Sequence, residues 1–149
     1  MTDTVKPDTE TPTAHRPTVL FLCVHNAGRS QMAAGWMQHL AGGRIRVLSG
    51  GSEPAAQINP AAVEVMAEAG IDISSNQPRP WTDDTLEAAD VIVTMGCGDT
   101  CPVVPGKRYL DWELTDPAGK PVDEIRPIRD DIRERVHGLM AELGVIPAE

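Results

Sequence analysis

The feature that most constrains the fold is an apolar segment, residues 18–22, that leads through a short loop into a helical pattern. Cys23 ends the segment, and Arg29 and Ser30 follow after five intervening residues. A strand that passes into a helix this way turns successive backbone N–H groups and the positive helix end toward one concavity. We therefore expect a tetrahedral oxyanion to bind at Val24, His25, Asn26, Ala27, Gly28, Arg29 and Ser30.

Cys23 lies at the mouth of this predicted concavity. A positive local field favours the thiolate, which is the nucleophilic form of cysteine. Arg29 can bind two oxygens of an oxyanion through its planar guanidinium. A lone cysteine after a strand is usually a small buried hydrophobe, but here small residues, arginine, serine and a helix start occur together. The combination favours nucleophilic attack on phosphate or a phosphate analogue.

Three polar residues of the segment are predicted to support the loop itself. We expect His25 to contribute a backbone N–H rather than to act on Cys23. Asn26 should stabilise the loop through side-chain hydrogen bonds. Ser30 should cap the following helix and also form a hydrogen bond with the Cys23 sulfur.

Composition excludes several classes of function. The 149 residues fit one domain. The net charge of −9 argues against nucleic acid and anionic membranes as partners. There is no apolar run of ~18 residues and no signal segment, so we expect a cytoplasmic protein. Three cysteines in a reducing compartment suggest reactivity or metal binding rather than a disulfide framework.

The pattern along the chain predicts an α/β fold. Residues 1–16 have few apolar side chains and should form a disordered tail, which leaves 17–149 as a single catalytic domain. Alternating elements predict an open parallel sheet of about four strands flanked by helices, with the ligand at the carboxyl ends of the strands. We place strands at 18–22, 44–49 (an edge strand) and 90–95, and helices at 30–40, 60–70, 82–89 and 127–143.

A second group of reactive residues is the pair Cys97 and Cys101, in a glycine-containing loop after the third strand. The pair could be half of a metal site completed by Cys23 or by one of His15, His25, His39 and His137. It could also be structural. We favour a redox pair, because glycines let the backbone move and the short spacing lets the sulfurs meet, and we predict no metal.

Asp116 is the candidate general acid. An Asp-Pro pair opens turns, and its carboxylate is commonly a local cap. An enzyme with a thiolate and an oxyanion site also needs a proton for its leaving group, which a carboxylic acid on a loop can donate. Asp111 and Asp123 are nearby competitors for this role.

The three motifs, residues 23–33, 93–102 and 116–120, together resemble the low-molecular-weight protein tyrosine phosphatase fold. Within that fold the chain resembles the arsenate reductases. The phosphatase branch usually carries tyrosines after its Asp-Pro, whereas Ala118 and Gly119 follow here. Ala34 stands where some members carry a glutamate associated with potassium, so potassium is not predicted.

The resemblance implies that Cys23 attacks arsenate, Arg29 and the loop amides neutralise the oxyanion, and Asp116 protonates the departing hydroxide. It further implies a relay in which Cys97 and then Cys101 carry the disulfide outward to thioredoxin, or to mycothiol and mycoredoxin in a related branch. No cofactor is implied, and we expect a monomer. The alternatives are a phosphomonoester phosphatase and a thiol-based arsenite- or metal-binding module.

Overall fold

The computed structural model describes residues 16–96 and 104–147. Within them one sheet contains β1 (Thr18–Cys23), β2 (Arg46–Gly51), β3 (Val91–Thr94) and β4 (Arg108–Asp111). The strand order is β2-β1-β3-β4, and all neighbouring strands are parallel. The predicted α/β fold with an open parallel sheet is confirmed, and β2 is an edge strand as expected.

Within the described residues, four helices cover both faces of this sheet. They are α1 (Arg29–Ala41), α2 (Pro60–Glu68), α3 (Asp83–Ala88) and α4 (Val122–Glu142). Side chains of β1 alternate between the faces: Val19, Phe21 and Cys23 join the core under α1, α2 and α4, whereas Leu20 and Leu22 pack with Leu86 of α3. Burial on both faces explains why β1 is apolar from Val19 onward.

The last helix begins at Val122, so the predicted start at Pro127 is wrong. Ile125 is fully buried, which extends the apolar face of α4 toward its N-terminus. Asp123 and Glu124 lie in the first turn, where negative charge is favourable. Pro127 removes one backbone hydrogen bond near the start of the helix, and this cost is tolerated.

Two strands also differ from their prediction. The edge strand was predicted at 44–49, but β2 pairs with β1 up to Gly51, which lies opposite Cys23. No strand was predicted at β4, because its residues alternate poorly and its ends are exposed. The predicted disordered tail, residues 1–16, lies outside the described residues except for Arg16, so it remains a prediction.

Candidate active site

Cys23 is the last residue of the central strand β1, and its side chain is 2% exposed. Its Sγ lies 3.0 Å from Oγ of Ser30, in the first turn of α1. The expected hydrogen bond between these two side chains is therefore present. The strand, the loop and the helix start thus bring the thiol and the hydroxyl together through local chain geometry.

Asn26 determines which way this hydrogen bond points. The backbone N–H of Arg79 donates to Asn26 Oδ1 at 3.0 Å, which fixes the amide, and Asn26 Nδ2 donates to Ser30 Oγ at 2.7 Å. The Ser30 hydroxyl accepts there and keeps its own proton to donate to the Cys23 sulfur. Ser30 does not cap α1 as predicted: Gly28 is the N-cap residue, and no side chain caps the helix.

Asn26 also adopts an uncommon backbone conformation. Its φ of 50° lies in the left-handed region, and the residue is fully buried. Gln31 Nε2 lies 3.1 Å from both the backbone oxygen and Oδ1 of Asn26. Asn76 Nδ2 donates to Gln31 Oε1 at 3.1 Å. Neutral amide groups therefore hold the turn of residues 23–30, which we call the anion loop.

The backbone carbonyls of residues 24–28 in the anion loop all accept hydrogen bonds. Two donors come from the chain after β2, one from the N-cap of α2, one from a side chain and one from α1 itself. They are Glu53 N to Val24 O (2.7 Å), Ala55 N to His25 O (3.0 Å), Gln31 Nε2 to Asn26 O (3.1 Å), Asn59 N to Ala27 O (2.9 Å) and Met32 N to Gly28 O (2.9 Å).

The backbone N–H groups of the same loop differ from its carbonyls in this respect. None of those from residue 24 to residue 30 donates to an acceptor within residues 16–96 and 104–147. With the carbonyls held away, the loop presents donors together with the N-terminus of α1, and this arrangement suits an oxyanion. The His25 ring is exposed and lies against the Glu53 carbonyl (Nδ1 to O, 3.0 Å) rather than against Cys23.

Strand β2 approaches this loop closely at Gly51. A Cβ there would lie 2.6 Å from the carbonyl oxygen of Val24 and 3.0 Å from the backbone nitrogen of Asn26. At the neighbouring Gly50, a Cβ would lie 2.8 Å from the backbone of Trp81. The end of the edge strand is therefore part of the support of the loop.

Arg29 lies at the start of α1 and is 8% exposed. Its Nη1 is 3.5 Å from the carbonyl oxygen of Leu114, and its Nη2 is 3.7 Å from Asp116 Oδ2. On its other side, Gly96 (φ 81°) is so near that a Cβ would collide with Nη1. The guanidinium is thus confined between the end of β3 and the segment after β4.

Asp116 is exposed and begins a turn, residues 116–119, which we call the acid turn. Its Oδ1 accepts a hydrogen bond from the Ala118 N–H at 3.0 Å, so the Asp116 carboxylate does cap its own turn. Its other oxygen faces Arg29. The two competing carboxylates have partners elsewhere: Thr94 Oγ1 donates to Asp111 (2.8 Å), and Arg126 donates to Asp123 (2.6 Å).

The anion loop and the acid turn line one cavity of about 290 Å³. Cys23, Arg29 and Asp116 all contribute to its wall, together with Pro117 and residues that precede α2. Neither Asp111 nor Asp123 is among the lining residues. A nucleophile, a cationic fork and a carboxyl group therefore face a space large enough for a tetrahedral anion.

Comparison with known proteins gives the family of the chain. The family model described as low molecular weight phosphotyrosine protein phosphatase matches residues 18–145. The chain belongs to this family. In this chain the anion loop begins at the carboxyl end of β1, and the acid turn follows β4.

Relatives within the family include arsenate reductases. A putative arsenate reductase of Halobacterium salinarum is 39% identical, with 83% of this chain and 91% of that protein covered. A glutaredoxin arsenate reductase of Synechocystis is 37% identical, with 85% and 98% covered. The solved thioredoxin-dependent arsenate reductase of Corynebacterium glutamicum is 46% identical with a TM-score of 0.75, and the match covers 86% of this chain but 62% of that one.

Sequence reasoning missed several residues of this family site. Gln31 and Asn76 support Asn26, Leu114 contacts Arg29, and Pro117 covers part of the loop. Pro117 could have been suspected, because it follows the candidate acid directly. The amide pair carried no signal, since glutamine and asparagine near a helix are usually exposed surface residues.

The predicted redox pair, Cys97 and Cys101, lies outside the described residues. Among residues 16–96 and 104–147 there is no group of three His, Cys, Asp or Glu side chains placed to share a metal ion. In the same part of the chain, no helix combines the length and apolar character needed to cross a bilayer.

Proposed function

We propose that this protein is an arsenate reductase that converts arsenate to arsenite through Cys23. The observation that carries the proposal is the single cavity shared by the Cys23 thiol, the Arg29 guanidinium and the Asp116 carboxyl group. Relatives that match over most of their length are named as arsenate reductases, which identifies the oxyanion.

In the first step the Cys23 thiolate attacks arsenic(V), and one arsenic–oxygen bond breaks. The loop N–H groups and Arg29 neutralise the oxyanion. Protonated Asp116 gives its proton to the departing hydroxide, which leaves as water. The Ser30 hydroxyl, with its proton directed at sulfur, stabilises the thiolate before the attack.

In the second step the thiolate of Cys97 attacks the Cys23 sulfur. The sulfur–arsenic bond breaks, and its electron pair stays on arsenic, which leaves as arsenite. Cys101 then attacks Cys97, so Cys23 is released as a thiolate and the disulfide joins Cys97 to Cys101. A dithiol reductant returns this disulfide to two thiols. The two electrons that reduce arsenic thus come finally from the reductant.

We propose thioredoxin as this reductant and a cytoplasmic monomer as the working form. The related Corynebacterium enzyme is named as thioredoxin-dependent, and the cytoplasm keeps such thiols reduced. The Synechocystis relative is named for glutaredoxin, so glutaredoxin, and mycothiol with mycoredoxin, are the alternatives to test.

Arsenate-dependent NADPH oxidation with thioredoxin and thioredoxin reductase tests the activity, with hydrolysis of an aryl phosphate run beside it. Turnover of arsenate supports a reductase. Hydrolysis without arsenate turnover under any of the three thiol systems would establish a phosphatase and reject the proposal.

Serine variants of the two loop cysteines test the relay. Cys97→Ser should stop with arsenic bound to Cys23, whereas Cys101→Ser should release one arsenite per enzyme and stop as a Cys23–Cys97 disulfide. Both variants should still hydrolyse any aryl phosphate that the wild type hydrolyses. Peptide mapping after a single turnover identifies the trapped species, and a Cys23–Cys101 bond would reverse the order.

A further inference from the structure

Pro117 is buried, although the residues on either side of it, Asp116 and Ala118, are exposed. Its ring lies directly on Gly28 of the anion loop. A Cβ built on Gly28 would lie 2.7 Å from Pro117 Cγ, 3.6 Å from Cδ and 3.9 Å from Cβ. The first of these separations is far below ordinary van der Waals contact, so only a hydrogen atom fits between the loop and the ring.

The ring cannot relieve such a collision alone. A proline ring is joined to the backbone at two points, and its φ is fixed. The turn that follows it is closed by the Ala118 N–H on Asp116 Oδ1 (3.0 Å). Pressure on the ring therefore displaces Asp116 and strains the bond from the Ala118 N–H to Asp116 Oδ1 that closes the turn.

From this contact we propose that Gly28 and Pro117 are positioning residues, which set the distance of the Asp116 carboxyl group from the Cys23 sulfur. The inference rests on the proposed function, in which Asp116 protonates the leaving oxygen. The 3.7 Å separation between Arg29 Nη2 and Asp116 Oδ2 is the spacing that this contact maintains. The absence of a side chain at Gly28 is thus required by the acid turn.

Adding a methyl group at Gly28 tests the proposal. In Gly28→Ala the ring and Asp116 should be displaced, and kcat for arsenate should fall by about 10- to 100-fold, since a misplacement of roughly 1 Å can cost about 10²-fold. KM for arsenate should change by less than about threefold, because the anion donors of the loop stay in place.

A double-mutant cycle separates this effect from damage to the loop itself. Pro117→Ala alone should lower kcat by a few-fold, on the order of 1 kcal/mol or less, because the turn loses its anchor. Adding Gly28→Ala to Pro117→Ala should change kcat by less than about threefold, since the ring that the methyl group met is gone. Equal losses from Gly28→Ala in both backgrounds would overturn the proposal, as would a loss confined to KM.

Two glycine-to-alanine variants serve as controls. At Gly138 in α4 a Cβ meets no atom within 4 Å, so Gly138→Ala should leave kcat unchanged. At Gly35 in α1 a Cβ would lie 3.0 Å from Ile73 and 3.2 Å from Met66. Gly35→Ala therefore crowds the core without touching the acid turn, and kcat of the folded enzyme should be kept whatever the change in thermal stability.

Hydrogen exchange of the Ala118 amide provides a readout that needs no activity. Its bond to Asp116 should protect it in the wild type, and protection should fall in Gly28→Ala but less in the double variant. If the wild type did not reduce arsenate, the proposed function would be rejected. The exchange result would still show whether the contact between Gly28 and Pro117 holds the acid turn in position. Unchanged protection in Gly28→Ala would overturn the positioning role.

Discussion

The anion loop and the acid turn face each other across one cavity, but they are held in different ways. The loop is fixed by donors on the carbonyls of residues 24–28 and by the buried amide of Asn26. In the acid turn Asp116 is exposed, and it is held by one bond within the turn and one distant ion pair. The oxyanion site is thus preformed, whereas the proton donor keeps access to solvent.

The largest expected effect comes from the rigid side of this comparison. Cys23→Ser should abolish arsenate turnover, because the weaker nucleophile cannot form the arsenic adduct or a disulfide. Arg29→Lys should lower kcat/KM by about 10²–10³-fold, since a point charge cannot replace two directed donors. Steady-state kinetics with circular dichroism as a folding check measures both, and near-normal kcat/KM in Arg29→Lys would refute two-point binding.

On the exposed side, Asp116→Asn should slow the first chemical step by about 10²–10⁴-fold while arsenate binding is nearly unchanged. The amide keeps the turn, because its oxygen still accepts from Ala118, but it has no proton to give. Single-turnover formation of the arsenic adduct measures the step. An unchanged rate would assign the acid role to another group, and Asp111→Asn would be tested next.

Loss of the Gln31 amide should weaken the preformed loop. Gln31→Leu leaves two oxygens of buried Asn26 without this donor, which should lower the free energy of unfolding by about 1–3 kcal/mol and raise KM for arsenate. Urea unfolding measures the first effect. Gln38→Ala, an exposed position of the same helix, is the control and should change stability little. Equal stability of Gln31→Leu and wild type would mean that the loop does not depend on this amide.

The smallest effect lies away from the site, where α2 meets α4. A hydrogen bond from Arg126, together with the charges of Arg126 and Arg129, lowers the pKa of Glu68 from 4.5 to about 2 against the opposing effect of burial. A lowered folded-state pKa gives stability that is present above about pH 4.5 and is lost as pH falls toward 2.

We therefore expect urea midpoints of wild type and Glu68→Gln to differ slightly at neutral pH and to converge toward pH 2. Glu68 and its arginine partners lie at the surface, so added salt should reduce the difference between the two urea midpoints. A gap that widened on acidification would contradict this assignment.

The sequence was sufficient for the local parts of the molecule. Cys23, Arg29 and Ser30 come together through one strand, one loop and one helix turn, so their spacing predicts their grouping. Contacts over long sequence separations were harder to foresee. The Arg79 N–H on Asn26 and the Pro117 ring on Gly28 depend on how distant segments pack. The sequence pattern places the start of α4 too late, because a proline favours the first turn of a helix. In α4 Pro127 lies in the second turn, where it is tolerated because the apolar face extends back to Ile125.

The close approach of Gly51 to the anion loop has a consequence for protein engineering. Libraries that alter substrate choice would naturally vary residues 24–28 and leave the edge strand alone. Yet any side chain at Gly51 would press on the carbonyl of Val24 and the nitrogen of Asn26. The conformations open to the anion loop are therefore limited partly by β2. A selection for new oxyanions should therefore keep glycine at 51, and substitutions there offer a way to inactivate the enzyme without touching its reactive side chains.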